Sequence, residues 1–410
     1  MKIWVKFFVA TVLGIILGFL LPGDNQLIMG SLAWLANLAI RIGRYAAAPA
    51  LLFSLIIAIS KLRQEGGFWG LLIRALVLMA GIAVFVISLG ILVTHLFPPA
   101  RIPIQIEEQG IVEGLNIPGM VNDLIPSNMM AVLAGDGIYL LPLYLFAFFL
   151  AIGLSYDKTY TKPVIALIDS LSRIFYHVIS FFSEIFSPVL IVLAAYWAVR
   201  YREVLQAGIF RDLILLLALF SAVLAFVILP LFFLLLGRKS HPWRQAYGSL
   251  GPALAAFFSG DINFSLPVLL RNTGENLGVR RRVNAPALTL FTSFGRSGSA
   301  MVAASAFIVI VKSYSSLGID MMDILSIGLQ ALAISFLLAR HPGDGAYTAL
   351  TVIATGYGRG FEAGYLILKP LAFYLIAIGA FLDVMIAGYA SFALAKLTKN
   401  QEEKSIRQFI

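Results

Sequence analysis

Cysteine is absent from this chain of 410 residues, which excludes disulfides, thiol nucleophiles and thiolate metal sites. Histidine is scarce too: His95, His177, His241 and His341 are scattered and make no metal-ligand spacing. Charge is the third shortage. Charged residues form 12% of the chain, against roughly 25% in soluble domains. No polar stretch is long enough to fold as a separate soluble domain. In their place stand 60% hydrophobic residues and a mean hydropathy of +0.92, the composition of a polytopic membrane protein. The net charge of +9 is spread as single basic residues through short loops, which fits loop topology and contact with anionic lipid and gives no sign of a nucleic-acid partner. The expected location is a bacterial inner membrane.

Apolar runs fall at about 3–22, 31–60, 69–98, 128–155, 163–199, 209–237, 283–312 and 364–396. A bilayer needs about 20 residues per span, so these runs predict eight transmembrane helices in an all-α fold. Lys2 and Lys6 before the first run resemble a signal sequence, but no small-residue cleavage site follows, and a retained helix is expected. Two further segments, 243–277 and 321–358, are apolar yet interrupted by Gly, Pro and charge at mid-length. Each reads as a re-entrant hairpin. With hairpins returning to their own side, 17 Lys and Arg fall in cytoplasmic loops and tails, among them Lys61, Arg238, Lys239, Arg280, Arg281, Arg282, Lys404 and Arg407; six fall outside. Both termini are therefore expected in the cytoplasm. The polar loop 99–127, with Glu107, Glu108, Glu113 and Asp123, is then extracellular.

The chemistry concentrates in three interruptions. Thr292 to Ala300 places Gly295, Arg296, Ser297, Gly298 and Ser299 inside an apolar run. A charge at the centre of a spanning helix costs at least about 2.5–3.5 kcal/mol, and irregular backbone at that depth is tolerated only inside protein or beside water. A helix broken at Gly295–Gly298, facing something polar, is the reading. The hairpin tips are Ser259-Gly260-Asp261-Ile262-Asn263-Phe264-Ser265-Leu266-Pro267-Val268 and Arg340-His341-Pro342-Gly343-Asp344-Gly345-Ala346. Half-helix ends turned into the protein attract ions: N-termini favour anions, C-termini and free carbonyls favour cations. Hairpin followed by helix occurs twice, over 243–312 and 321–396, and such paired interruptions point to a transporter's midplane site.

At these residues the chain resembles the dicarboxylate/amino acid:cation symporter family, the glutamate transporters. Ser265-Leu266-Pro267-Val268 is similar to its Thr-Leu-Pro-Val of the first hairpin, and His341-Pro342-Gly343-Asp344-Gly345-Ala346 to its Val-Pro-Gly-Ala-Gly-Ala of the second. Pro49 to Ser54 resembles the second-helix Pro-x-x-Phe-x-Ser, and Ile125-Pro126-Ser127-Asn128 the Val-Pro-Thr-Asn before the fourth helix. The resemblance runs from about residue 30 to 396. It implies an elevator fold with inverted repeats, a homotrimer, and a small-molecule cargo, glutamate or aspartate by default. The implied scaffold is 1–66 and 128–205, separated by helix three at 67–98 and the loop 99–127. Helix three and 206–396 would form the mobile unit, with 397–410 a cytoplasmic tail and the second hairpin an outer gate.

Departures from the family pattern fall in the site. Its Asn-Met-Asp-Gly-Thr aligns with Gly295, Arg296, Ser297, Gly298 and Ser299. Asp383 matches the carboxylate that holds the cargo's amino group. The family's arginine, asparagine and second aspartate beyond it meet Ile386, Ala390 and Leu394. Hard cations need several oxygen ligands, usually with carboxylates, so a sodium site built there is short of ligands. The expectation is that Arg296 supplies the positive charge that bound sodium gives in relatives, neutralising Asp261 or Asp383 or binding an anionic cargo; the alternative is a structural ion pair. The expected cargo-binding set is Asp261, Asn263, Ser265, Arg296, Ser297, Arg340, Gly343, Asp344 and Asp383, and the cation set Gly295, Ser299 and Asp383. No cofactor is expected, and sodium or protons remain open as coupling ion, a sodium-coupled symporter with a rebuilt cation site being the alternative. His341 adds a proton-sensitive group. A rival class is the rhomboid-type intramembrane protease, since Gly295-Arg296-Ser297-Gly298 reads as Gly-x-Ser-Gly, with Ser297 as nucleophile and His177 or His341 as base.

Overall fold

The computed structural model describes residues 2–23, 25–103, 115–236, 242–315, 319–402 and 404. Glu107, Glu108 and Glu113 of the expected outer loop, and Arg238, Lys239 and Arg407 of the charge count, lie outside that set. The described residues form helices α1 (Ile3–Leu20), α2 (Gln26–Gln64), α3 (Phe68–Leu96), α4 (Ile117–Leu124), α5 (Leu141–Tyr156), α6 (Lys158–Ala207), α7 (Arg211–Val223) and α8 (Leu229–Leu236). They continue with α9 (Pro242–Ser259), α10 (Ile262–Glu275), α11 (Arg281–Phe294), α12 (Ser297–Tyr314), α13 (Met321–Ser335), α14 (Gly345–Tyr357) and α15 (Ala372–Leu397). The extended pairing among them is a single bridge between Val279 and Gln401.

Local chemistry explains the boundaries. Asn25 caps α2 by accepting from the Leu27 and Ile28 amides, and Lys61 and Arg63 meet the negative end of its dipole 39 residues later. Such a helix is about 58 Å long, well beyond the roughly 30 Å of bilayer hydrocarbon. Among the described residues, seven helices or continuous helical stretches are long and apolar enough to cross a membrane. The remaining expected span, 128–155, is interrupted: a 3₁₀ turn at Met129–Ala134 gives way to Gly135-Asp136-Gly137, and α5 starts only at Leu141 and runs 16 residues. Gly137 takes φ +74°, a left-handed conformation that suits glycine and ends the helical pattern.

The core sits around α12. In the stretch Arg281–Tyr314, 94% of the most apolar window is buried, against 33% in α1. Helix α12 packs on α3, α14 and α15, while α2 packs on α5 and α6 and touches α10 and α11. Antiparallel α9 and α10 meet at Gly260-Asp261; α13 and α14 meet through a short turn at Leu338–Arg340 and the residues to Asp344. Beyond α15 the tail folds back as a strap. Glu402 N donates to Gly278 O at 2.8 Å and Arg280 N to Asn400 O at 3.0 Å, pinning the α10–α11 junction.

Candidate functional site

The helix expected to break at Gly295–Gly298 does so at Gly295 and Arg296, between α11 and α12. Gly295 closes α11 by donating to Phe291 O at 3.0 Å. Arg296 is buried, at 2% exposure, and each of its three side-chain nitrogens is hydrogen-bonded. Nε donates to Asp383 Oδ2 at 2.7 Å, Nη1 to the carbonyls of Leu338 and His341 at 3.2 and 3.1 Å, and Nη2 to Ser299 Oγ at 3.3 Å. Its main-chain amide donates to Ser335 O at 3.2 Å. One side chain therefore binds the broken helix, the second tip and α15 together.

Asp383, 1% exposed at mid-helix, is equally committed. Ser299 N donates to Oδ1 at 3.0 Å and Ser299 Oγ to Oδ2 at 2.6 Å. The approach needs bare backbone. A Cβ on Gly345 would lie 2.3 Å from Arg296 Nη2, and one on Gly298 would lie 2.9 Å from Asp383 Oδ1. A buried pair recovers its desolvation cost only with good geometry and further hydrogen bonds, and both partners here have them. The carboxylate already holds a cation, so the Gly295, Ser299 and Asp383 set offers poor ground for a sodium ion; the donors present do not fit one.

Asp261 forms a second, different pair. Its Oδ1 caps α10 by accepting from Phe264 N at 3.1 Å. Its Oδ2 receives Arg44 Nε at 2.9 Å and Arg44 Nη2. Arg44 comes from α2, far from both tips in sequence, and sequence reasoning missed it. The signal was available: Arg41 and Arg44 are arginines inside a long apolar run, and an intramembrane charge marks a functional site by default. This pair opens on a cavity of about 1190 Å³ between α2, α6, the 132–143 segment and both tips, lined among others by Arg41, Arg44, Asp136, Tyr139, Asp261 and Gly343. The tips touch each other there, Ile262 N donating to Pro342 O at 3.1 Å.

The other expected residues are placed less centrally. Asn263 donates to the carbonyls of Gly137 and Ile138 at 3.1 and 2.8 Å, beside the cavity and not at Arg296. Ser265 turns back to Ile262 O at 2.8 Å. Arg340 points away from the centre and pairs with Asp123, so it does not join Arg296, because the short turn at Leu338–Arg340 directs it outward. Asp344 is half-exposed and bonds His341 Nδ1 at 3.1 Å and Thr348 Oγ1 at 3.2 Å. Ser297 Oγ is buried without a hydrogen-bond partner among the described residues, so neither His177 nor His341 activates it as a nucleophile. No group of three or more His, Asp or Glu among the described residues could hold a metal ion.

A sequence profile of the sodium:dicarboxylate symporter family matches residues 3–397. The chain belongs to that family. It is therefore a membrane protein of a symporter family and not an enzyme, which removes the protease reading. Within the sodium:dicarboxylate symporters the similarity to characterised relatives is distant and partial. The chain is 26% identical over 132 residues to the human neutral amino acid transporter B(0), covering 32% of this chain and 24% of the relative. The mouse form of that transporter is 25% identical over 170 residues, 41% of this chain and 30% of the relative. Human excitatory amino acid transporter 1 is 28% identical over 131 residues, 32% of this chain and 24% of the relative. The chain thus spans only 24% to 30% of the length of these relatives.

Proposed function

We propose that this chain is a secondary active transporter that carries a small amino acid or dicarboxylate, with glutamate or aspartate as the default cargo, and that Arg296 acts as a built-in cation. In this reading eight membrane crossings and two re-entrant hairpins make an elevator. Helix three (67–98) and residues 206–396 move as one unit past a scaffold of 1–66 and 128–205, in a homotrimer of the bacterial inner membrane with both termini cytoplasmic. The observation that carries the reading is the sealed Arg296–Asp383 pair: a fixed guanidinium stands where a cation would otherwise neutralise the carboxylate. It removes the electrostatic need for sodium at that point and repels a second cation. With Asp383 already bonded, the carboxylate left for the cargo's ammonium is Asp261 at the cavity, under the Gly343 turn; its partner Arg44 belongs to the scaffold and must release it before the mobile unit travels.

Uptake of radiolabelled glutamate, aspartate and neutral amino acids into proteoliposomes tests this. Uptake of at least one should persist when choline replaces sodium, and Arg296→Met should lower it. Uptake that vanishes without a sodium gradient would sink the built-in cation and support a sodium-coupled symporter with a rebuilt cation site.

A further inference from the structure

A second cavity, of about 280 Å³, lies away from the tips, where α2 and α6 meet the α10–α11 junction. Its walls carry Lys61 from α2, Arg173 from α6, and Arg281 and Arg282 from the first turn of α11. Asp169 is the carboxylate in the lining, shared by Lys61 at 3.6 Å and Arg173 at 3.1 Å. Arg282 Nη1 reaches Glu65 at the rim, 2.7 Å away. Four cations thus face two carboxylates, a formal surplus of +2. Arg281 touches no carboxylate directly among the described residues and meets Asp169 only through its longer-range field. Its Nη2 donates to the buried Ser172 Oγ at 2.9 Å, and the guanidinium lies over the Tyr176 ring at 5.8 Å from the centroid.

We infer that this cavity binds a phosphate-bearing anion, either the headgroup of an anionic phospholipid or free inorganic phosphate. Three planar guanidiniums and an ammonium around one small cavity match phosphate oxygens, which take paired N–H donors. Ser54 and Ser172, whose hydroxyls lie 3.2 Å apart, add polar groups to its wall. Lys61 in the last turn of α2 and Arg281 and Arg282 in the first turn of α11 count among the basic residues expected on the cytoplasmic side, and basic pockets between spanning helices on that side hold anionic headgroups. None of these residues takes part in the cargo site. An occupant would contact α2, α6 and α11 at once.

The test uses the full chain in mixed phosphatidylcholine–phosphatidylglycerol nanodiscs, with retained lipids counted by native mass spectrometry, and in detergent, with thermal shifts measured against inorganic phosphate. Wild type should prefer phosphatidylglycerol by about tenfold, or be stabilised by phosphate; the Arg173→Gln/Arg281→Gln double variant should lose that behaviour, and Arg359→Gln, on an exposed turn elsewhere, should keep it. Lipid preference with no phosphate response assigns a headgroup; a phosphate response with no lipid preference assigns the free anion. Asp169→Asn frees two cations and should tighten binding, a gain that misfolding cannot produce. Wild type showing neither response, or the double variant matching wild type in both, would overturn the inference.

Discussion

Two arginine–aspartate pairs divide the polar centre of this protein, alike in their buried carboxylates and different in the surroundings of their arginines. Arg296 and Asp383 are both buried, 2% and 1% exposed at the side chain, and hold three neighbouring elements together. Arg44 and Asp261 join an outlying long helix to a hairpin tip, with Arg44 at 19% exposure beside a large cavity. The first pair has every bond internal and no face for a visitor. The second leaves one partner, Arg44, on the wall of a cavity. Burial of the carboxylate does not separate the pairs, since Asp261 and Asp383 are each 1% exposed; the difference lies in the arginine and in the cavity beside it.

The sharpest way to break the contrast is to remove one partner of the enclosed pair. Arg296→Ala or Asp383→Ala leaves a buried charge uncompensated and should cost about 3–5 kcal/mol, read as loss of folded yield or thermal stability in detergent, with uptake abolished. The double variant Arg296→Leu/Asp383→Leu should recover much of the stability but not the uptake. If each single variant is as stable as wild type, the pair is not sealed.

Next comes the open pair. Arg44→Gln should lower stability by about 1.5–3 kcal/mol, the worth of charged hydrogen bonds, and reduce proteoliposome uptake by about tenfold or more, as should Asp261→Asn. Uptake untouched by both would move the cargo site elsewhere. Gly345→Ala then probes the enclosed pair from its other side. Its Cβ meets Arg296 Nη2, so about 1–3 kcal/mol of overpacking should appear in thermal unfolding. The smallest effect belongs to Arg340→Gln, whose ion pair with Asp123 lies half in water. It should change stability by less than about 1 kcal/mol and leave cargo affinity by isothermal calorimetry unchanged; a fall in affinity would return Arg340 to the site.

Much of the fold was legible because polar breaks in apolar runs are loud. Gly295-Arg296 and the tip residues Gly260-Asp261 and Pro342-Gly343 stand where the helices end. Asp383 was legible as a charge in mid-helix. Direction was not legible. Sequence places a charge along a helix but leaves its partner open, so Arg296 could face Asp261 or Asp383, and Arg340 could face in or out. Arg44 was less legible because α2 runs unbroken from Gln26 to Gln64, so no helix end or polar interruption marks it. The span expected at 128–155 averaged its hydropathy over Gly135-Asp136-Gly137, and a two-glycine break around one carboxylate is too short to lower that average.

The strap at the end of α15 has a practical side. Residues 400–402 clasp Gly278 and Arg280, and Arg282 Nε bonds the Asn400 side chain, so this short stretch works as a clip on the turn leading into α11. A fluorescent reporter or affinity handle grafted beyond Glu402 leaves the clip intact. One that replaces Asn400 unfastens the turn from which Arg281 and Arg282 project, and a researcher would then be studying a loosened machine.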